Sequence, residues 1–285
     1  MDSAKPGELF NAYYYAHDCG EPYQRNQAWL SLFNGFAARI ISDIGPETVL
    51  DAGCAMGFLV EALRQRNVQA WGIDISEYAI RNVHPDFQPY CQVGSIIEPF
   101  PHPRYDLIVC IEVLEHLPAE QAEKAIANLC QHSDDILFSS TPFDYKEATH
   151  FNVRPPEFWA EGFARNGFFR DVDFDASFIT PWAVRFCRQD KPLVRLVHDY
   201  ERRLVPLRIE NTELRNSALQ MRNQLDNLEQ ELLARRNELA NTHEALQQHE
   251  LLLNKQDAEL TELRRKLENI QSSRWWRIFR RLLGQ

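Results

Sequence analysis

Residues 48–63 read TVLDAGCAMGFLVEAL. Thr48, Val49 and Leu50 form a short β-branched and apolar run, the signature of a buried strand, whereas Phe58, Leu59 and Leu63 open a 3.6-residue spacing. Between the two lie an acid and two glycines: Asp51, Gly53 and Gly57. Strand, glycine turn and helix in that order are the first unit of a doubly wound α/β sheet. In such a unit glycine lets the chain turn sharply and brings bare backbone close to a ligand at the helix N-terminus. The ligand expected there is nucleotide-like.

Working outward, the chain of 285 residues is 44% hydrophobic and 25% charged, which suits at least one full core. Its composition changes abruptly. Ten of eleven glycines and all fifteen prolines precede residue 207, and neither residue occurs between Leu207 and Leu283. Residues 1–200 carry 16 Lys and Arg against 28 Asp and Glu, a balance of -12, while residues 201–285 carry 15 against 13. An acidic globular half opposes a nucleic-acid partner, which calls for clustered Lys and Arg. A small-molecule or glycan substrate fits better. The six cysteines contain no CxxC pair, so free thiols and no zinc site are expected. MDSAKPGELF has no apolar signal core and no run of about 18 apolar residues occurs, so the expected location is cytoplasmic.

The turn is not a nicotinamide fingerprint. Counted from Gly53, the second and third glycines of GxGxxG are replaced by Ala55 and Phe58. An acid two residues before the first glycine and another glycine four after it resemble motif I of the class I S-adenosylmethionine-dependent methyltransferases. In QAWGIDIS, Asp74 lies 23 residues after Asp51, where a carboxylate accepts hydrogen bonds from ribose hydroxyls; a helix N-cap is its plainer alternative. A third strand in FQPYCQVGS ends at Ser95, where the family often has an Asp. YDLIVCIEVLEHLP is similar to the family's FDLVxxxEVLEHL and is the most specific match. DDILFSSTP, FFRDVDFDA and AVRFCR supply the remaining strands. CGxPYxRNxxWLxFF and DISEYAI are wording shared with several bacterial members.

The resemblance covers residues 45–189, preceded by a helical lead or cap over 1–44. It implies a Rossmann-like, seven-stranded methyltransferase domain that binds S-adenosyl-L-methionine through Asp51, Gly53, Cys54, Ala55, Gly57, Asp74, Ile75, Ser95 and Ile111. Methyl transfer is an in-line displacement needing alignment and a dry site, and a hydroxyl acceptor also needs a base. Glu112, His116 and His150 are the candidates, with His150 preferred over His116; each histidine also has an ordinary structural reading. Glu112, Glu115 and His116 are similar to part of the ExxEHxxH magnesium site of RNA 2'-O-methyltransferases. The second histidine's place is held by Ala119, so no metal is expected. Tyr13, Tyr14, Tyr15, Tyr23 and Arg25 are read as a lid over the cofactor or as ordinary packing. The function expected is O-methylation of a sugar hydroxyl or other small acceptor, in surface-polysaccharide assembly. The alternatives are a scaffold with a vestigial methyltransferase-like domain and, third, an NAD oxidoreductase.

From 207 to 271 a 3-4 spacing predicts a coiled coil through which the chain self-associates. One track holds Leu207, Leu214, Met221, Leu228, Leu263 and Ile270, the other Leu225, Leu232, Leu239, Leu246, Leu253, Leu260 and Leu267. Asn211, Arg235, Thr242, His249 and Gln256 interrupt the seam. Pro192 and Pro206 bracket an expected linker, 190–206, with Pro206 in the first turn of the coil. Residues 272–285, with Trp275 and Trp276 on one arc and Arg274, Arg277, Arg280 and Arg281 on the other, read as a basic amphipathic helix. It resembles tails of bacterial surface-polysaccharide enzymes and suits an anionic membrane surface, here the inner face, or packing on another helix.

Overall fold

The computed structural model describes residues 6–272. Two helices, α1 (Ala12–His17) and α2 (Gln27–Asp43), precede the first strand. Each starts on an asparagine cap: Asn11 accepts from Tyr13 N at 2.9 Å, and Asn26 from Trp29 N at 3.0 Å. There follow β1 (Thr48–Ala52), α3 (Phe58–Arg64), β2 (Gln69–Asp74), α4 (Glu77–Arg81), β3 (Cys91–Val93) and β4 (Leu107–Ile111). The globular part continues through α5 (Ala119–His132), β5 (Asp135–Ser139), α6 (Pro156–Arg165), β6 (Phe168–Arg170) and β7 (Val184–Arg188).

The strands form one sheet in the order β3-β2-β1-β4-β5-β7-β6. β7 runs antiparallel to both its neighbours, and the remaining pairings are parallel. Helices cover both faces, which is why the strands read as continuous apolar runs instead of alternating ones. In β1, Val49 joins Phe36, Ile40, Leu59 and Leu63 on one face, while Leu50 joins Ile126, Trp159 and Phe163 on the other. Both are at most 1% exposed, and burial of a side chain of this size is worth roughly 1.5–3 kcal/mol. The strand order reverses between β1 and β4, so their carboxyl ends open a crevice at the topological switch point. The opening stretch and the EVLEH segment meet there. All six cysteines are free thiols.

A second unit begins at Val205. The expected linker is not a linker: α7 (Leu193–Ser272) is helical from one residue after Pro192, and Pro206 lies inside it. Proline there withholds one N–H from the ladder but is compatible with a continuing helix when the neighbouring turns hold. The boundary between the units still falls within two residues of Pro206. The apolar side chains of both tracks lie exposed along α7, from Leu207 through Leu267. Among the described residues no helix is long and apolar enough to cross a membrane. The amphipathic segment read in 272–285 lies, beyond Ser272, outside the described residues.

Candidate active site

The turn after β1 is built by backbone geometry that few residues tolerate. Gly53 has φ 93° and Gly57, which caps α3, has φ 71°. A Cβ on Gly53 would come within 2.3 Å of Val113 Cγ2, and one on Gly57 within 3.0 Å of Cys91 Sγ. The glycines are therefore required by packing of the β4 and β3 ends against the loop, as well as by the left-handed turn. Ala55, in the middle, is also left-handed at φ 46°, a conformation that strains a residue with a side chain. Gly53 N and Cys54 N both donate to Ile73 O, at 2.8 and 3.1 Å, which ties the turn to β2.

Asp74, at the end of β2, holds the turn from the other side. Its Oδ2 accepts from Ala55 N and its Oδ1 from Ser76 N, each at 2.8 Å. The N-cap of α4 is Ser76, so the capping alternative for Asp74 does not hold. Ser95 sits just beyond β3, where Gly94 N donates to Asp74 O at 2.8 Å. Asp51, 6% exposed, makes no side-chain hydrogen bond or ion pair among the described residues. Burial first, and the Asp74 charge second, push its carboxyl up to about 8. Burial also raises Asp74. Two buried carboxyl groups thus share one corner with no cation beside them among the described residues, an arrangement that suits a positively charged ligand.

Across the crevice, β4 ends at Ile111 and Glu112 adopts φ 53°. Its Oε1 accepts from Trp182 Nε1 at 2.9 Å. Glu115 is fully buried; one oxygen accepts from Thr141 N at 3.3 Å and Oε2 has no hydrogen-bond partner among the described residues. Burial and the Glu112 charge push this carboxyl up to about 8.

His116 and His150, far apart in sequence, meet with ring centroids 4.6 Å apart. His116 Nδ1 faces the Thr149 carbonyl at 3.2 Å and the Thr149 hydroxyl oxygen at 3.0 Å; that hydroxyl donates to Glu147, so an Nδ1–H satisfies both contacts and Nε2 keeps its lone pair. Burial and the neighbouring His150 charge hold His116 down to about 4. His150 has the opposite bias. Burial opposes its charge, but Nε2 lies 3.0 Å from a Glu147 oxygen and Nδ1 2.9 Å from Asp144 O, and the ring is pushed up to about 9. At neutral pH the pair is one neutral imidazole beside one imidazolium. Ligand atoms of Glu115, His116 and His150 lie within 4.8 Å of one another, as do those of Asp144, Glu147 and His150, and these are the described groups with the spacing to hold a metal.

The N-terminal aromatics close over both sides. Tyr15 is 6% exposed and stacks on Tyr78 at 5.7 Å, and Tyr23 stacks on Phe58 at 5.0 Å. The backbone at Gly7 rests on the Ile75 carbonyl, where an added Cβ would come within 2.5 Å, and Ser76 Oγ donates to Phe10 O. Phe10 and Tyr14 meet His116 edge-on at 5.3 and 6.1 Å. Arg25 forks onto Glu61 of α3, with Nη2 2.9 Å from Oε1. Tyr13, by contrast, is 66% exposed and takes no part. The sequence marks these aromatics as a lid or as packing; Glu147, Thr149, Trp182 and Phe10, which stand beside them, lie in loops without a motif to mark them.

The fold and the switch-point crevice define a Rossmann-like methyltransferase domain. A family model described as methyltransferase domain matches residues 23–169, just over half of the chain, and the chain belongs to that family. Among curated relatives, the ubiquinone biosynthesis O-methyltransferase of Neisseria meningitidis serogroup C (strain 053442) is 31% identical over 123 residues, 39% of this chain and 51% of the relative. The enzyme of that name from Nitrosomonas europaea is 33% identical over 112 residues, 35% and 46% of the two chains. The chain spans about half the length of the curated relatives it matches. Among solved structures, magnesium protoporphyrin IX methyltransferase from Synechocystis PCC 6803 with bound SAM shares the fold, with a TM-score of 0.50 and 17% identity over 66% of this chain and all of that one.

S-Adenosyl-L-methionine, the cofactor implied by the family, fits the residues present. Its sulfonium and ammonium are the positive charges that Asp51 and Asp74 lack. Asp74 keeps lone pairs free for ribose hydroxyls after accepting from two backbone groups. The turn from Gly53 to Gly57, Cys54 and Ala55 included, together with Ile75, Ser95 and Ile111, borders the same corner.

Proposed function

We propose that this protein transfers a methyl group from S-adenosyl-L-methionine to a hydroxyl of a small acceptor. The observation that carries the reading is the uncompensated pair Asp51 and Asp74, at the glycine turn of a methyltransferase-family domain. Bound cofactor supplies an electrophilic methyl on a cationic sulfur; the chain's own residues hold it, align the acceptor and keep water out. A hydroxyl nucleophile must shed its proton as it attacks. The geometry favours His116 over His150 for that task, because His116 is neutral with an open Nε2, whereas His150 is already protonated. In this reading Glu147 holds His150 and Thr149 holds His116, the His150 imidazolium favours anionic character in the acceptor oxygen, and Glu112 lines the β4 side of the crevice.

A sugar hydroxyl remains the acceptor proposed, in surface-glycan assembly at the inner face of a membrane, from the acidity of the domain and the resemblance of the tail. The similarity to ubiquinone biosynthesis O-methyltransferases supports a phenolic hydroxyl as the second reading. Titration calorimetry with S-adenosylhomocysteine tests the cofactor, and tritiated methyl transfer to nucleotide sugars and to catechols tests the acceptor. No heat at millimolar S-adenosylhomocysteine would overturn the cofactor assignment. Binding without turnover on any hydroxyl would favour the scaffold alternative.

A further inference from the structure

The helix α7 carries an unpartnered row that neither cofactor nor acceptor explains. Seven leucines recur at every seventh residue from Leu225 to Leu267, each at least half exposed. With that track taken as heptad position a, the track through Leu207, Leu214, Met221 and Leu228 is position d, and a single register runs from 207 to 270 without a stutter. A row of this length facing water is a surface awaiting a helix with the same repeat.

The flanking charges select the occupant. In a parallel pair, position g of one helix faces position e of its partner five residues later. In register, this matches Glu210 with Arg215, Glu231 with Arg236 and Glu259 with Arg264, and no g position meets a like charge. Sliding the partner back one heptad sets Glu231 against Glu229, Glu259 against Asp257 and Lys266 against Arg264. The other seam of that staggered pair sets Glu238 against Glu250. A full-length antiparallel pair sets Glu238 against itself and Arg208 against Arg264. Only the unshifted parallel pairing is free of repulsion.

We propose that α7 forms a parallel, in-register, two-stranded coiled coil with a second copy of this chain. Asn211 at an a position is the polar residue that fixes register in such a seam. The d track between 228 and 263 is polar: Arg235, Thr242, His249 and Gln256. Arg235 is met within its own helix by Glu238 at 3.2 Å. Long polar side chains at d reach water past the edge of a two-stranded seam more readily than inside a three-stranded one. The inference stands on α7 alone and does not depend on the methyltransferase reading.

The test uses the full chain. Light scattering should give twice the chain mass; a monomer or trimer overturns the proposal. Leu225→Cys should form an intermolecular disulfide on mild oxidation, since identical a positions adjoin only in a parallel in-register pair. A disulfide formed when Leu225→Cys is mixed with His249→Cys, with none within Leu225→Cys alone, indicates the antiparallel arrangement and overturns it. Glu231→Arg should raise the dimer dissociation constant roughly tenfold, and adding Arg236→Glu should restore it. Failure of that rescue, with both variants equally helical, would refute the pairing.

Discussion

Replacing Asp51 with asparagine separates the role of this carboxylate in folding from its role in binding. In the folded, ligand-free protein its pKa is about 8, against 3.8 for an unperturbed Asp. A raised carboxyl pKa means that the unfolded chain gives up a proton the native state retains, so the group destabilises the fold. This penalty is absent below about pH 4, grows as pH rises toward 8 and is then constant. At pH 7 it amounts to at most about 4 kcal/mol, from 1.36 kcal/mol per pH unit. The amide that replaces the carboxyl cannot ionise, so Asp51→Asn should be the more stable protein in urea denaturation, with a gap that widens between pH 5 and 8. Cofactor binding should respond in the opposite sense. If the cofactor's ammonium needs the anion, affinity of the wild type for S-adenosylhomocysteine should rise roughly fifty-fold from pH 6 to 8, tracking the ionised fraction. Asp51→Asn should remove that dependence and, at pH 8, bind about 10- to 100-fold more weakly, the loss of one charge-assisted hydrogen bond. The reasoning is refuted if the amide destabilises the ligand-free protein at neutral pH, or if wild-type affinity is as flat with pH as the variant's.

Gly53→Ala, which would drive a Cβ to 2.3 Å from Val113 at φ 93°, should destabilise by at least about 2 kcal/mol, whereas Ala55→Gly should be neutral or up to about 1 kcal/mol stabilising; thermal melts of both check this. His116→Ala should lower kcat by about 100-fold or more while leaving S-adenosylhomocysteine affinity within about threefold, read from steady-state kinetics and calorimetry. Burial is the main cause of the low His116 pKa and the His150 charge the second; His150→Ala removes the second alone, so the acid limb of the kcat profile should move up from about 4 but stay below the ordinary histidine range. Because the raised His150 pKa of about 9 contributes stability that is complete below about 6.5 and lost as pH rises through 9, the same variant should lose most stability near pH 6. Arg25→Ala leaves Glu61, 4% exposed, without its guanidinium and should destabilise by about 1–2 kcal/mol, the figure being small because Arg25 itself is partly solvated; adding Glu61→Gln should recover part of it, measured by urea denaturation.

Much of the fold is legible in the sequence because it rests on local signals. The strand and helix periods of 48–63, the spacing from Asp51 to Asp74 and the EVLEHL segment each need only neighbouring residues, and the seven strands fall where these place them. Within the lead, α1 and α2 are legible as helix, while its aromatics read equally as a lid or as ordinary packing. The pairing of His116 with His150 is not, since it depends on how the loop after β5 folds back to bring Glu147, Thr149 and His150 to the end of β4. Nor does residue type reveal protonation: by position His150 reads as the better base, yet Glu147 and Asp144 stand against both its nitrogens. Pro192 and Pro206 mislead for a related reason. Proline marks helix starts and linkers on average, but a long helix with intact turns on either side accommodates one missing hydrogen bond, and α7 does so at Pro206.

The segment from Gly7 to Tyr15 rests at one end on the Asp74–Ser76 corner, through the Ile75 carbonyl and Ser76, and at the other on the His116 ring, through Phe10 and Tyr14. One short stretch of chain therefore ties the end of β2 to the histidine pair. A substitution at Phe10 should be felt at both ends, at the Ser76 corner through its carbonyl and at the imidazole through its ring.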